Sequence, residues 1–124
     1  MRNNQSVEDY LEAILMLQSQ NGSVRSIDIA HALNFSKPSV SVAMKSLREK
    51  GHITVDEQGH ISLTETGHKI ANNVYERHEM LTKFLIYIGV DEDTAKEDSC
   101  KIEHDLSEIT FTKLKEYLKN TNLI

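Results

Sequence analysis

Between Asn34 and Gly51 the sequence spells out both ends of one helix and the surface it presents. Ser36 suits the N-cap, Pro38 falls in the first turn where its missing N–H removes no hydrogen bond, and Gly51 suits the left-handed cap that stops the helix near Lys50. Within it Val40, Ala43, Met44 and Leu47 recur at helical spacing and form the apolar face. Ser39, Ser41, Val42, Lys45 and Arg48 look the other way. Charge sharpens this asymmetry: residues 34–50 carry Lys37, Lys45, Arg48 and Lys50 against Glu49 alone, a local +3 in a chain of formal net charge −5. That face suits an anionic partner.

The flanking segments say what such a helix belongs to. Val7, Tyr10, Leu11, Ile14 and Leu17 mark a first helix from about Val7 to Gln18, with Ser6 as its expected N-cap. After the Asn21-Gly22 loop, Ser26 opens a short helix carrying Ile27, Ala30 and Leu33, and Asn34-Phe35 forms the turn into the capped helix. Two alternating runs follow, Ile53-Thr54-Val55 and Ile61-Ser62-Leu63, around Asp56-Glu57-Gln58-Gly59, and read as a β-hairpin. Two helices joined by a tight turn, then a hairpin, with a basic outer face on the second helix, is the pattern of a winged helix-turn-helix. The expected DNA-facing residues are Ser36, Lys37, Pro38, Ser39, Ser41, Lys45 and Arg48, the hydroxyls reaching bases or phosphates, Pro38 a thymine methyl and the cations phosphates. His31, His52, His60 and His68 read as surface or wing residues.

The remainder is helical. Thr64 can cap a long helix from about Glu65 to Ile88 with Ile70, Val74, Leu81, Phe84, Leu85 and Ile88 as apolar positions, ended by Gly89. Helices from about Glu92 to Asp105 and from about Ser107 to Leu118 complete the chain, the last carrying Ile109, Leu114 and Leu118. The fold class expected is therefore mainly α. Residues 1–71 form a winged helix-turn-helix DNA-binding domain, and residues 72–124 a helical metal-binding and dimerisation domain. Most of the excess acid lies in the second part, with eleven Asp/Glu against seven Lys/Arg, compared with eight against seven in residues 1–71. Several apolar residues between 80 and 118 have few internal partners in so small a part, and a helical homodimer interface would bury them.

The metal expectation comes from Cys100-Lys101-Ile102-Glu103-His104. On a helix, positions 100, 103 and 104 project within an arc of about 100°, so thiol, carboxylate and imidazole share one face. Asp9 and Glu12 form a second pair at i, i+3 on the first helix, and His78 lies on the long central helix. If the three helices meet, these side chains can hold one or two cations. A single cysteine forms no internal disulfide, the start Met1-Arg2-Asn3-Asn4-Gln5-Ser6 has no apolar run, and no stretch approaches a membrane span. A cytoplasmic, non-membrane protein is expected.

These segments bear a family resemblance. Ser6-Val7-Glu8-Asp9-Tyr10-Leu11-Glu12-Ala13-Ile14 resembles the opening helix of the diphtheria toxin repressor and manganese transport regulator family of metal-dependent repressors. Similar matches are Asp28-Ile29-Ala30-His31-Ala32-Leu33, Ser36-Lys37-Pro38-Ser39-Val40-Ser41, Leu63-Thr64-Glu65-Thr66-Gly67, Arg77-His78-Glu79-Met80-Leu81 and the Cys100 segment. The last two are the most specific. The resemblance implies Asp9, Glu12, His78, Cys100, Glu103 and His104 as metal ligands, with Glu103 as a carboxylate bridge, Asp9 and His104 nearer one ion, and Glu12 and His78 nearer the other. It also implies a homodimeric repressor of metal homeostasis that binds palindromic double-stranded operator DNA when Fe(II) or Mn(II) is sufficient.

Position 9 follows the manganese branch of that family and position 100 the iron branch. A thiolate favours softer ions and the carboxylates harder ones, leaving Fe(II) and Mn(II) open, with Zn(II) or Co(II) able to substitute in vitro. Val42 stands where the iron branch has a polar base-contacting residue, so a different operator is expected. One rival reading is a winged-helix regulator answering a non-metal signal. Another, a dimetal enzyme, lacks the paired Glu-x-x-His motifs and any nucleophile–base constellation, so no enzymatic activity is expected.

Overall fold

The computed structural model describes residues 5–122, and the N-terminal reading of Met1-Arg2-Asn3-Asn4 lies outside them. Elements follow in the order α1 (Gln5–Asn21), α2 (Ser26–Leu33), α3 (Lys37–Glu49), β1 (Ile53–Val55), β2 (Ile61–Leu63), α4 (Glu65–Tyr87), α5 (Glu92–Ile102) and α6 (Glu108–Asn120). They divide into two compact units, with the change at Asn72/Asn73, inside α4. The architecture is mainly α, as expected.

In the first unit the buried face of α3, Val40, Met44 and Leu47, packs with Leu11 and Ile14 of α1, Ile29 of α2 and Ile53 and Ile61 of the hairpin into one core. Local chemistry sets the ends of α3. Ser36 Oγ accepts from the Ser39 amide at 3.3 Å, Pro38 occupies the first turn, and Gly51 adopts φ +82°, a conformation a side chain would strain. The turn before it uses Asn34 in the left-handed region, which Asn tolerates. α2 begins as expected, though Asp28 rather than Ser26 serves its start, accepting from the Arg25 amide at 2.9 Å.

β1 and β2 pair antiparallel with Ile53 opposite Leu63 and Val55 opposite Ile61. The Ile61 amide donates to the Val24 carbonyl at 2.7 Å, which pins the hairpin to the segment between α1 and α2. Thr64 caps α4 by accepting from the Gly67 amide at 3.2 Å, while its hydroxyl donates to the Gly51 carbonyl at 2.6 Å. Gly67 lies so close under the His52 carbonyl that a Cβ there would collide with it. A helix-turn-helix followed by a hairpin wing is the result.

The second unit is built on a smaller core of Met80, Leu81, Phe111 and Leu118, flanked by Phe84, Ile102, Leu106 and Leu114. Ser107 caps α6 through the Thr110 amide at 3.1 Å, and Asp91 caps α5 through Thr94 at 2.9 Å.

Three expectations are corrected. Ser6 lies inside α1, because the helix already includes Gln5, so it is not the N-cap. Ile109 is 74% exposed; the stripe of α6 that faces the core is Phe111, Leu114 and Leu118, at i, i+3 and i+7. Most consequential, α5 stops at Ile102 instead of Asp105, so Glu103 is its C-cap and His104 lies beyond it in a turn. Cys100 and Glu103 still converge as expected, their ligand atoms within 4.8 Å of each other, but His104 lies in the turn rather than on the same helix.

Candidate metal centre and nucleic-acid face

The turn places Glu103 and His104 inside the second unit, each 2% exposed, while Cys100, one turn back on α5, stays exposed. A buried carboxylate is costly unless charge and hydrogen bonds meet it. Here imidazoles lie against both of its oxygens: His78 Nδ1 is 3.0 Å from Oε2, and His104 Nε2 is 3.5 Å from Oε1. Cys100 Sγ lies 3.8 Å from the same His78 Nδ1. His78, Cys100 and Glu103 thus offer one nitrogen, one sulfur and one oxygen ligand atom, all within 4.8 Å of one another. His104 stands beside Glu103, against its other oxygen.

The electrostatics favour positive charge at this cluster. Cys100, then Glu103, hold the protonated form of His78 and push its pKa from 6.5 up to about 10. Positive charge at the His78 nitrogen stabilises the carboxylate and the sulfur together, which is the service a divalent cation would render. The mixed donor set suits a borderline transition metal better than a hard ion alone. The residues present therefore fit a metal.

Asp9 and Glu12 belong to the first unit, both half-buried on α1 at i, i+3 and so on neighbouring positions of one face.

The seven residues expected to face DNA, Ser36, Lys37, Pro38, Ser39, Ser41, Lys45 and Arg48, are all exposed. Angular position on α3 sets Lys37, Pro38, Ser41, Lys45 and Arg48 in a stripe about 100° wide. Val42, 70% exposed, points almost directly away from the buried Val40, Met44 and Leu47. An apolar β-branched side chain so exposed amid cations and hydroxyls is the one element of the face that solvent alone does not favour.

Arg77 has no comparable signature in the sequence. It is buried, one residue before His78, and reaches the turn that carries Glu103. A single arginine on a helix gives no local sign of such a role.

Comparison with known proteins agrees with both halves. Residues 4–61 match the family described as iron dependent repressor, N-terminal DNA binding domain, and residues 64–122 match iron dependent repressor, metal binding and dimerisation domain. An uncharacterised HTH-type transcriptional regulator of Methanocaldococcus jannaschii is 34% identical over 118 residues, covering 94% of each chain. The HTH-type transcriptional regulator MntR of Bacillus subtilis is 39% identical over 102 residues, 82% of this chain and 72% of that one. Among solved structures, the manganese regulator SloR superposes with a TM-score of 0.80 at 27% identity over 96% of this chain. The chain spans about half of that structure's length, 54%. With two family domains covering almost every residue and a helix-turn-helix in front of a metal-competent helical unit, the chain belongs to the iron-dependent repressor family, whose members are metal-dependent transcriptional repressors, DNA-binding regulators rather than enzymes.

Proposed function

We propose that this protein is a homodimeric repressor that binds a palindromic operator when Fe(II) or Mn(II) fills the cluster around Glu103, and so holds metal supply in balance. The observation that carries the reading is the convergence of His78, Cys100 and Glu103 ligand atoms within 4.8 Å. Asp9, Glu12 and His104 would complete the ligand set, with donors enough for two ions per subunit. A bound divalent cation would supply positive charge against the carboxylates and the Cys100 sulfur. Were Asp9 and Glu12 to share that metal, its binding would couple the DNA-binding unit to the dimer module.

Ser36, Lys37, Pro38, Ser39, Ser41, Lys45 and Arg48 face the duplex, and Val42 meets a thymine methyl in the major groove. The exposed Ile86, Tyr87 and Ile88 at the end of α4 support a second copy as the cover for that surface. No helix among the described residues is long and apolar enough to cross a membrane, and the working compartment of such a regulator is the cytoplasm with its DNA.

The test is an anaerobic fluorescence-anisotropy titration of DNA from upstream of the protein's own gene, with EDTA, Mn(II), Fe(II) or Zn(II). Tight binding with Fe(II) or Mn(II), lost in EDTA and in Glu103→Ala, is expected. Because metal and operator bind one linked system, operator must tighten metal binding by the same factor that metal tightens operator binding. DNA binding indifferent to EDTA would overturn the metal dependence.

A further inference from the structure

The ligand cluster sits where two helices have run out. α5 has ended at Ile102, α6 starts at Glu108, and Glu103 and His104 lie in the turn between. Helix ends leave carbonyls without intrahelical donors, and side chains on such a turn are free to move unless something holds the backbone. Here one residue from a third helix does so.

Arg77 is 7% exposed, and each nitrogen of its guanidinium group is engaged. Nη1 donates to the carbonyls of Glu103 at 3.1 Å and Leu106 at 2.6 Å, taking both sides of the turn at once. Nη2 donates to Glu108 Oε1 at 2.8 Å, and Nε to Asn73 Oδ1 at 3.0 Å. The group lies 4.9 Å over the Phe111 ring. Only a planar fork of donors can grip two carbonyls, a carboxylate and an amide oxygen together; an ammonium is a point charge without that geometry. Arg77 also adjoins His78 in the chain, so the residue that aims one ligand from α4 is next to the residue that clamps the turn bearing another.

We infer that Arg77 is the positioning residue of the metal centre: by clamping the Glu103 and Leu106 carbonyls it presents the Glu103 carboxylate to His78 and Cys100. This rests on the proposed role of those three side chains as metal ligands. The guanidinium donates its hydrogen bonds to the Glu103 and Leu106 carbonyls, the Asn73 amide oxygen and the Glu108 carboxylate. It acts on the site by holding the backbone, and through Glu108 and Phe111 it ties that backbone to α6.

The experiment titrates the full chain with Co(II) under anaerobic conditions and follows two optical signals. The thiolate-to-cobalt charge-transfer band reports Cys100, and the ligand-field bands report coordination geometry. Arg77→Lys keeps the charge and loses the fork. It is expected to fold, by circular dichroism and urea unfolding, yet to bind Co(II) about 10–100-fold more weakly, the usual cost of losing a residue that orients ligands, with shifted ligand-field bands. Glu108→Gln leaves the guanidinium in place and removes one charged contact from a side chain that is 68% exposed, so it should fold whatever becomes of Arg77→Lys. Its expected effect is a weakening of severalfold with a smaller spectral shift.

A folded Arg77→Lys with wild-type affinity and spectrum would show the arginine to be only a staple between helices and would overturn the inference. If Arg77→Lys does not fold, an unchanged spectrum and affinity in Glu108→Gln overturns it as well. Wild-type protein that takes up no Co(II), with no charge-transfer band, would instead fail the metal-site reading itself and the inference with it.

Discussion

The two units solve opposite problems with the same kind of helix. The first must display its working residues, and α3 does so with a regular helix capped at both ends and anchored by one apolar face, while every expected DNA-facing residue stays exposed. The second must withdraw a carboxylate from water and still aim it, so it places Glu103 past a helix end, 2% exposed, between two histidines. Display needs only local structure. Burial of a functional group needs contacts from far along the chain, and Arg77 reaches 26 residues to the Glu103 carbonyl and 31 to Glu108. Damage should therefore spread differently in the two units: broadly through the metal unit, and narrowly through the other.

The largest expected effect tests the first half of that statement. Phe111 belongs to a core whose other buried members among the described residues are Met80, Leu81 and Leu118, and it also backs the Arg77 guanidinium. Phe111→Ala should cost about 3–5 kcal/mol, the usual range for emptying a buried aromatic site. Urea unfolding is expected to become biphasic, with the metal unit melting first and Co(II) binding lost in that first step. A single transition shifted as a whole would mean that the two units share one cooperative fate and would break the comparison.

The same contrast explains what the sequence reveals. Ser36, Pro38 and Gly51 are readable because a cap is settled by residues three or four positions apart, and the hairpin and the α4 cap Thr64 are readable for the same reason. The end of α5 is not. Nothing near Ile102 breaks a helix; there is neither glycine nor proline between Val90 and Ile124. What accompanies the stop is a guanidinium from α4, and a contact over that distance leaves no local trace. Cys100 and Glu103 are still recognisable as partners, since three residues apart is close on a helix whether or not it continues. His104 would share their helix only if the helix continued, and it reaches Glu103 from the turn instead. On α6 the sequence is more informative: at about 100° per residue Phe111, Leu114 and Leu118 fall within about 60° of one another while Ile109 lies on the far side, so its exposure is legible in the helical period.

A smaller effect checks the narrow half. Ser36→Ala removes the acceptor for the Ser39 amide and the 2.8 Å hydrogen bond from its hydroxyl to Ser39 Oγ. Loss of such a cap should cost about 1 kcal/mol of stability in the DNA-binding unit. Co(II) affinity and spectrum in the other unit should stay at wild-type values. A change in the metal spectrum would show that the start of α3 is coupled to the metal centre, and the two units would then no longer be separable as argued.

The smallest effect belongs to the wing and depends on pH. Asp56 lies in the hairpin turn, where its Oδ1 accepts from the amides of His60 at 2.8 Å and Gln58 at 2.9 Å. Those amides, His60 foremost, hold its carboxyl below the ordinary value of 3.8. A carboxyl depressed in the folded state binds its proton more readily when unfolded, so the contribution is present above about pH 4 and is lost as pH falls through the lower folded value. The wing turn should therefore loosen in acid. Amide hydrogen exchange at Gln58 and His60, corrected for its intrinsic pH dependence, should lose protection there before the amides of α3 do. Asp56→Asn keeps an acceptor oxygen but does not titrate, and should abolish that acid step. If protection in α3 fell in parallel with the turn, the wing would not be a locally held element, and even the unit that displays its function would depend on contacts beyond its own caps.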